Sequence, residues 1–396
     1  MHHMTRTVDD HAAAVAGLLH PLAARPVEPV PVRLAAGRRN ATEVRSPADL
    51  PAFRNSQMDG YAVRAQSIAD VPVTLPVDAT VAAGAVAAPL SAGAAMKVMT
   101  GAPIPAGADC VVPVEDTTRQ PDGHVRIERT RAAGEYVREQ GDDVRAGALL
   151  VPAETGLRPR HVAALAAVGL TQIEVYRRVR AVVITTGDEL TPAGTPLRPG
   201  QVYDSNGVAL ATYLAADGVE VVTVTHAPDE PERLRGLLDD AATRADLVLT
   251  SGGISMGDFE VVKATLQPLG GEFGHVAMQP GGPQGLSVLH GIPVLSFPGN
   301  PVSTVVSYLV FARPTLRTLA GLDPVAPRTL PLLGELNSTP GKRQFRRGRI
   351  AGHGVEPVAG PGSHLIAAMA RADVLIDLPA DVTAVAAGSD VRVWAL

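Results

Sequence analysis

The sequence predicts a multidomain chain of α/β plus β class. A three-layer, parallel α/β domain follows an irregular helical and β-rich N-terminal half and precedes a C-terminal β-barrel. Three observations predict this. Between residues 178 and 325, short apolar strands alternate with helical stretches, the spacing of parallel strand–helix–strand units. Between residues 27 and 149, glycines and prolines punctuate short alternating segments. After Pro324 and Pro327 the chain returns to short strands and glycine turns. With 396 residues, 46% of them hydrophobic, it can bury more than one core.

Residues 8–24 read as an Ala- and Leu-rich helix closed by Pro26, after which Pro29 and Pro31 make an extended connector. Lys97–Thr100 and Val125–Glu128 are short strands of the β-rich part. Residues 156–168 form a second helix with Pro159 in its first turn. In the α/β part, strands are expected at Val179–Thr185, Val219–Thr225, Asp246–Thr250 and Ile292–Phe297. Helices are expected from Ser205, as N-cap, through Ala216 to a stop at Gly218, and over Glu230–Thr243, Phe259–Leu266 and Val302–Leu319. The domain reading is 1–26 with 150–177, then 27–149, 178–325 and 326–396.

A net charge of −5 argues against a protein that coats nucleic acid. The single cysteine, Cys110, excludes a disulfide framework, a cysteine zinc site and an intramolecular redox pair; it reads as a small buried apolar residue. No apolar run is long enough to span a membrane, and Met1-His-His-Met-Thr5 lacks a signal-peptide pattern, so a cytoplasmic location is expected.

The segment Ser251-Gly-Gly-Ile-Ser-Met-Gly-Asp258 directly follows a buried strand and precedes a helix. Backbone amides and a helix dipole converge at such a place, which suits an anion. Thr185–Leu190, Val202–Asn206 and Phe297–Ser303 fall at other strand ends, and in a parallel sheet those ends share one rim. Asp188, Glu189, Asp204, Asp258 and Glu260 supply carboxylates there. Carboxylates beside anion-binding amides suggest a divalent ion on phosphate oxygens. Against this stand helix capping at Asp204-Ser205 and solvated turn charge at Asp188-Glu189. Asn55–Ala62 and Met99–Pro105 contain no nucleophile–base pair and by themselves read as structural turns. Lys342, Arg343, Arg346, Arg347 and Arg349 fit either a charged edge strand guarded against aggregation or a positive face for an anionic substrate.

Together, Asn55–Ala62, Met99–Pro105, Thr186–Leu190, Val202–Asn206, Ser251–Asp258 and Phe297–Ser303 resemble the molybdopterin molybdenumtransferases, the family of bacterial MoeA proteins and the gephyrin E domain. The segments occur in order over nearly the whole chain. The resemblance implies a molybdopterin-binding α/β domain and a C-terminal β-barrel. It implies homodimers, with the helical parts at 1–26 and 150–177 in linkage and dimerisation, and active sites between subunits. It implies Mg²⁺-dependent molybdenum insertion: adenylylated molybdopterin and molybdate react, the pyrophosphate is cleaved and AMP leaves. A molybdopterin adenylyltransferase is the implied partner, with neither nucleic acid nor membrane. The other functional readings are a non-catalytic, gephyrin-like scaffold and a nucleotide-pyrophosphate hydrolase.

Carried over by motif, the catalytic residues are Asp59, Thr100, Asp143 (in Gly141-Asp142-Asp143) and Glu189. Asp59, Asp143, Glu189 and Glu260 are the implied metal ligands. Ser251, Gly252, Gly253, Ser255, Asp229, Lys263, Pro298, Asn300, Arg347 and Ser363 are the implied substrate contacts. The sequence departs from the family pattern at two places. Glu260 replaces the usual Asp, and the family's Lys-Pro-Gly-Lys-Pro loop is Gln279-Pro-Gly-Gly-Pro283. Without those lysines the positive charge has to come from elsewhere, with Arg347, Arg346 or Lys263 as the candidates.

Overall fold

Along the strand Arg180–Thr186, Ala181 and Val183 pack into one apolar cluster and Val182 and Ile184 into another. This two-residue alternation belongs to a strand covered on both faces. The computed structural model describes residues 5–255 and 260–396. Met256, Gly257 and Asp258 of the glycine loop, and the expected helix start at Phe259, lie outside them. The chain divides into two compact units, Met1–Glu28 with Gly37–Ala41 and Glu174–Leu396, and Pro29–Ala36 with Thr42–Ile173. The helix Val8–Leu19 therefore belongs to the first unit and Pro159–Ala167 to the second.

In the first unit a six-stranded sheet runs in the order Glu220–Ala227, Arg180–Thr186, Leu247–Ser251, Ile292–Phe297, Pro283–Leu289, Glu272–His275. Its first four strands are parallel. The last two are antiparallel, which corrects the expectation of a parallel sheet. The reason is a hairpin at His290-Gly291, where both residues have positive φ (51° and 81°) between the paired Leu289 and Ile292. Two consecutive left-handed residues make the type I′ turn that folds a strand back on its neighbour.

The helix Asn206–Ala216 buries Leu210 and Leu214 in one cluster, and Pro231–Arg244 and Val261–Leu266 bury Leu234, Leu238 and Val262 in the other. The cap of the first of these helices differs from expectation. Ser205 makes no side-chain cap bond, whereas Gly207 N donates to Asp204 Oδ1 at 2.9 Å. The single helix expected over Val302–Leu319 is three pieces: Pro301–Ser307, a π-helical turn at Tyr308–Ala312, and Arg313–Ala320. Pro314 has no N–H for the carbonyl four residues back, and the ladder widens just before it.

The strands Arg343–Ala351, Val374–Leu378, Asp390–Ala395 and Arg328–Pro331 follow one another antiparallel, and Gly354–Pro357 folds back on the first. Met278–Gln279 pairs with Arg343–Gln344 in parallel. This pairing matters for the site, because it ties the C-terminal sheet to the segment that opens the Gln279–Pro283 loop.

The second unit holds a six-stranded sheet in the order Cys110–Pro113, Gly60–Val63, Ala95–Val98, Val73–Val81, His124–Ile127, Thr117–Arg119. Cys110 is buried with Tyr61, Val63 and Ile127, as its apolar surroundings in sequence suggested. Among the described residues no helix is long and apolar enough to cross a membrane.

Candidate active-site cleft

The carboxyl ends of the parallel strands open into a cleft of about 740 Å³ within the first unit. That volume is of the size that holds a cofactor-like molecule. Thr186 and Glu189 border it at the end of Arg180–Thr186, Asp229 after Glu220–Ala227, Gly252, Gly253 and Ser255 after Leu247–Ser251, and Pro298 and Asn300 after Ile292–Phe297. Glu260 and Ser363 complete the sequence-predicted residues on its wall.

The glycine loop forms because nothing else fits. Gly252 has φ +100°, and a Cβ there would lie 2.6 Å from Thr186 O and 2.7 Å from Thr186 Oγ1. The loop amides are not all free for a ligand, contrary to the expectation of converging donors. Gly252 N donates to Phe297 O at 3.0 Å, and Ser255 N donates to Glu260 Oε2 at 2.5 Å. Thr186 Oγ1, by contrast, is buried at the cleft and has no hydrogen-bond partner among the described residues. A hydroxyl of that kind suits an outside acceptor or donor.

Three sequence-predicted contacts do not line the cleft. Ser251 is buried; its hydroxyl accepts from Asn206 Nδ2 (3.0 Å) and shares a bond with Thr304 Oγ1 (3.1 Å), which holds loop to helix. Lys263 donates its backbone N–H to Gly253 O at 3.1 Å, so it supports the loop from the helix behind it. Arg347 is 4% exposed and donates to the carbonyls of Gly360 and Gly362. It positions the Pro361–His364 edge, where Ser363 O in turn accepts from Val302 N at 2.9 Å. Burial holds the Arg347 guanidinium below its ordinary pKa, with the charge of Arg346 adding to this.

The carboxylate wall is crowded. Asp229 N donates to Asp188 Oδ1 at 3.1 Å. Burial pushes the Asp229 carboxyl up, and the charges of Asp188 and Glu189 push in the same direction.

In the second unit the two motifs that read as turns are bound to each other. Gly101 N donates to Ser56 O (2.8 Å), and Ser56 N donates to Ala102 O (2.9 Å). Thr100 then donates to Asp59 Oδ1 twice, through its N at 2.7 Å and its Oγ1 at 2.9 Å. These bonds, the backbone one foremost, hold the exposed Asp59 carboxyl below the usual carboxylate range, with Lys97 contributing. Asp143 is exposed and anchored through its N–H to Leu50 O at 2.9 Å. Thr100→Ala keeps the backbone donor and loses the hydroxyl. It is therefore expected to move the Asp59 pKa part of the way back toward its ordinary value, followed by carboxyl NMR titration; an unchanged pKa would show that the hydroxyl bond contributes nothing.

Carboxylate oxygens are the donors Mg²⁺ prefers, so the chemistry of Glu189 and Glu260 on one cleft suits that ion. A preformed cage is another matter. Among the described residues no three His, Cys, Asp or Glu side chains gather at metal-binding distance.

Residues 6–169 match the MoeA N-terminal region (domain I and II), 182–318 a probable molybdopterin binding domain, and 329–396 the MoeA C-terminal region (domain IV). The chain is 42% identical to molybdopterin molybdenumtransferase 2 of Mycobacterium tuberculosis, over 99% of this chain and all of that one. The chain belongs to the molybdopterin molybdenumtransferase family. A member from Synechococcus elongatus is 35% identical over 98% of this chain and 99% of its own. The crystal structure of a molybdopterin biosynthesis moea protein from Pyrococcus horikosii superposes with a TM-score of 0.84 at 31% identity, covering 99% of each chain. In this molybdenumtransferase-family chain, sequence reasoning missed His275 and His364 as cleft residues, whereas Asn206 ends the rim segment Val202–Asn206. It noted Lys342 only as part of a charged run. The signal for Lys342 was its place just before a strand that pairs with the cleft loop, which no local pattern displays.

Proposed function

We propose that this chain inserts molybdenum into adenylylated molybdopterin, using molybdate and releasing AMP. The observation that carries the reading is the 42% identity over the full length to a protein named molybdopterin molybdenumtransferase, combined with a polar cleft lined by family motif positions, Glu189, Gly252, Gly253, Asn300 and Ser363 among them. In this reading Thr186, Asn300, Ser363 and the Gly252–Gly253 backbone orient the pterin pyrophosphate. Mg²⁺ belongs to the proposal, with Glu189 and Glu260 as oxygen donors and Asp59 and Asp143 in the same role; once bound it would offset the charge of the pyrophosphate. Catalysis then rests on positioning and charge stabilisation, with no covalent enzyme intermediate. A 42% identity along the whole length to a named transferase favours the enzyme over a scaffold.

The deciding assay supplies adenylylated molybdopterin, molybdate and Mg²⁺ and measures AMP. Molybdate-dependent release is expected; hydrolysis of ordinary dinucleotides without molybdate would support the hydrolase reading instead. The proposal further includes a homodimer, a cytoplasmic location, a molybdopterin adenylyltransferase as supplier and closure of residues 326–396 into a barrel, toward which the bridge between Leu332 and Val355 leans. Light scattering should return twice 41.0 kDa.

A further inference from the structure

The loop Gln279–Pro283, on the cleft wall, carries no charged side chain. Gln279 Oε1 accepts from Gln344 Nε2 at 3.0 Å, so this side chain is tied to the C-terminal sheet. A Cβ at Gly282 would lie 2.4 Å from His275 Nε2 and 2.9 Å from His275 Cε1. The imidazole of His275 covers Gly282, and both line the cleft.

The cations of the tail run are mostly spent elsewhere. Arg343 pairs with Asp377 at 2.7 Å and Asp9 at 2.9 Å. Arg349 pairs with Glu356 at 2.7 Å. Arg346 donates to Asn337 O at 3.2 Å, and Arg347 holds the carbonyls of Gly360 and Gly362. Lys342 differs from all of them. It is exposed, and among the described residues it makes no ion pair. Among the described residues it is also the only lysine or arginine on the cleft wall, which otherwise carries the carboxylates Glu189, Asp229 and Glu260. Its position follows from the pairing of Arg343 with Met278 and Gln344 with Gln279, which carries Lys342 to the side of the loop where His275 lies. The proximity is electrostatic as well as geometric, since the charge of Lys342 adds to burial in holding the His275 imidazole below its ordinary pKa.

Resting on the proposed reaction, we infer that Lys342 is the residue that holds a tetrahedral oxyanion in this cleft, with His275 packed over Gly282 as the positioning residue that fixes the wall beside it. A single ammonium on an exposed stem takes the place of charges that the loop itself does not present. A charge-assisted hydrogen bond of this kind corresponds to about ten- to hundred-fold in affinity.

The test is direct titration of the full chain, by calorimetry, with molybdate in one arm and AMP in the other. The wild type should bind at least one of them saturably. Lys342→Ala should weaken that arm by about ten- to hundred-fold with an unchanged thermal midpoint, and Lys342→Arg should restore most of it. The arm that responds identifies the oxyanion as molybdate or phosphate. In turnover, Lys342→Ala should raise KM for the responding species more than it lowers kcat. His275→Gly should weaken binding less than Lys342→Ala, because it removes packing and leaves the charge. Equal binding by wild type and Lys342→Ala, or no saturable binding of either anion by the wild type, would overturn the assignment. Binding that depends on Lys342 without AMP release in the full reaction would overturn the proposed reaction and leave the anion site standing.

Discussion

Asp59→Asn is expected to lower molybdate-dependent AMP release by about a hundredfold or more while the protein stays folded. The substitution is nearly isosteric. The amide oxygen of Asn can still accept from Thr100 N and Oγ1, which now lie 2.7 and 2.9 Å from Asp59 Oδ1, so the Met99–Pro105 turn keeps its anchor. What disappears is the negative charge. The side chain is exposed, so its removal should shift the thermal midpoint little. The sign of the pH dependence follows from the depressed Asp59 pKa. A carboxyl held below its unfolded value contributes stability that is present above the unfolded pKa and lost as pH falls through the folded one. Any stability difference between wild type and Asp59→Asn should therefore appear at neutral pH and vanish in acid. Near-normal AMP release with an unchanged Mg²⁺ requirement would remove Asp59 from the proposed metal site.

Gly252→Ala should damage both fold and site. A methyl group there meets the Thr186 carbonyl oxygen at 2.6 Å, and the backbone φ of +100° is one that a side chain rarely adopts. Neither neighbour can yield easily. Thr186 ends a central strand with pairing on both sides, and Gly252 N is bonded to Phe297 O. Overpacking and backbone strain together are expected to cost about 2–4 kcal/mol. Thermal unfolding and anion titration should both report it, since a displaced loop no longer borders the cleft as Gly252 and Gly253 do now. A variant with wild-type melting and binding would show that the loop relaxes without cost.

The two substitutions probe different levels of the molecule. Gly252 is a matter of local geometry, already signalled by a glycine pair after a buried strand. Asp59 is a matter of chemistry, and its local pattern of polar turn residues gave no hint of it. Only the resemblance across six ordered segments singled it out.

Several features were determined by the sequence alone. The four parallel strands and the helices between them follow from apolar period and caps, because neighbouring residues suffice to set them. Ile292–Phe297 and Pro159–Ala167 fall where the pattern put them. The family follows from ordered motifs, which survive in sequence because each is local. Other features needed the tertiary structure. The antiparallel edge of the sheet depends on His290 taking positive φ, a choice made by strand pairing. The π-helical turn before Pro314 sits where Tyr308 and Phe311 are buried, and the helical pattern of the sequence did not display it. Above all, the fate of the tail cations was invisible in sequence. Five basic residues within eight positions look alike there, yet Arg343 and Arg349 pair with acids, Arg346 and Arg347 hold carbonyls, and Lys342 alone reaches the cleft. A charged side chain is assigned by whichever partner the fold brings near, from Glu356 seven residues along for Arg349 to Asp9 at the other end of the chain for Arg343.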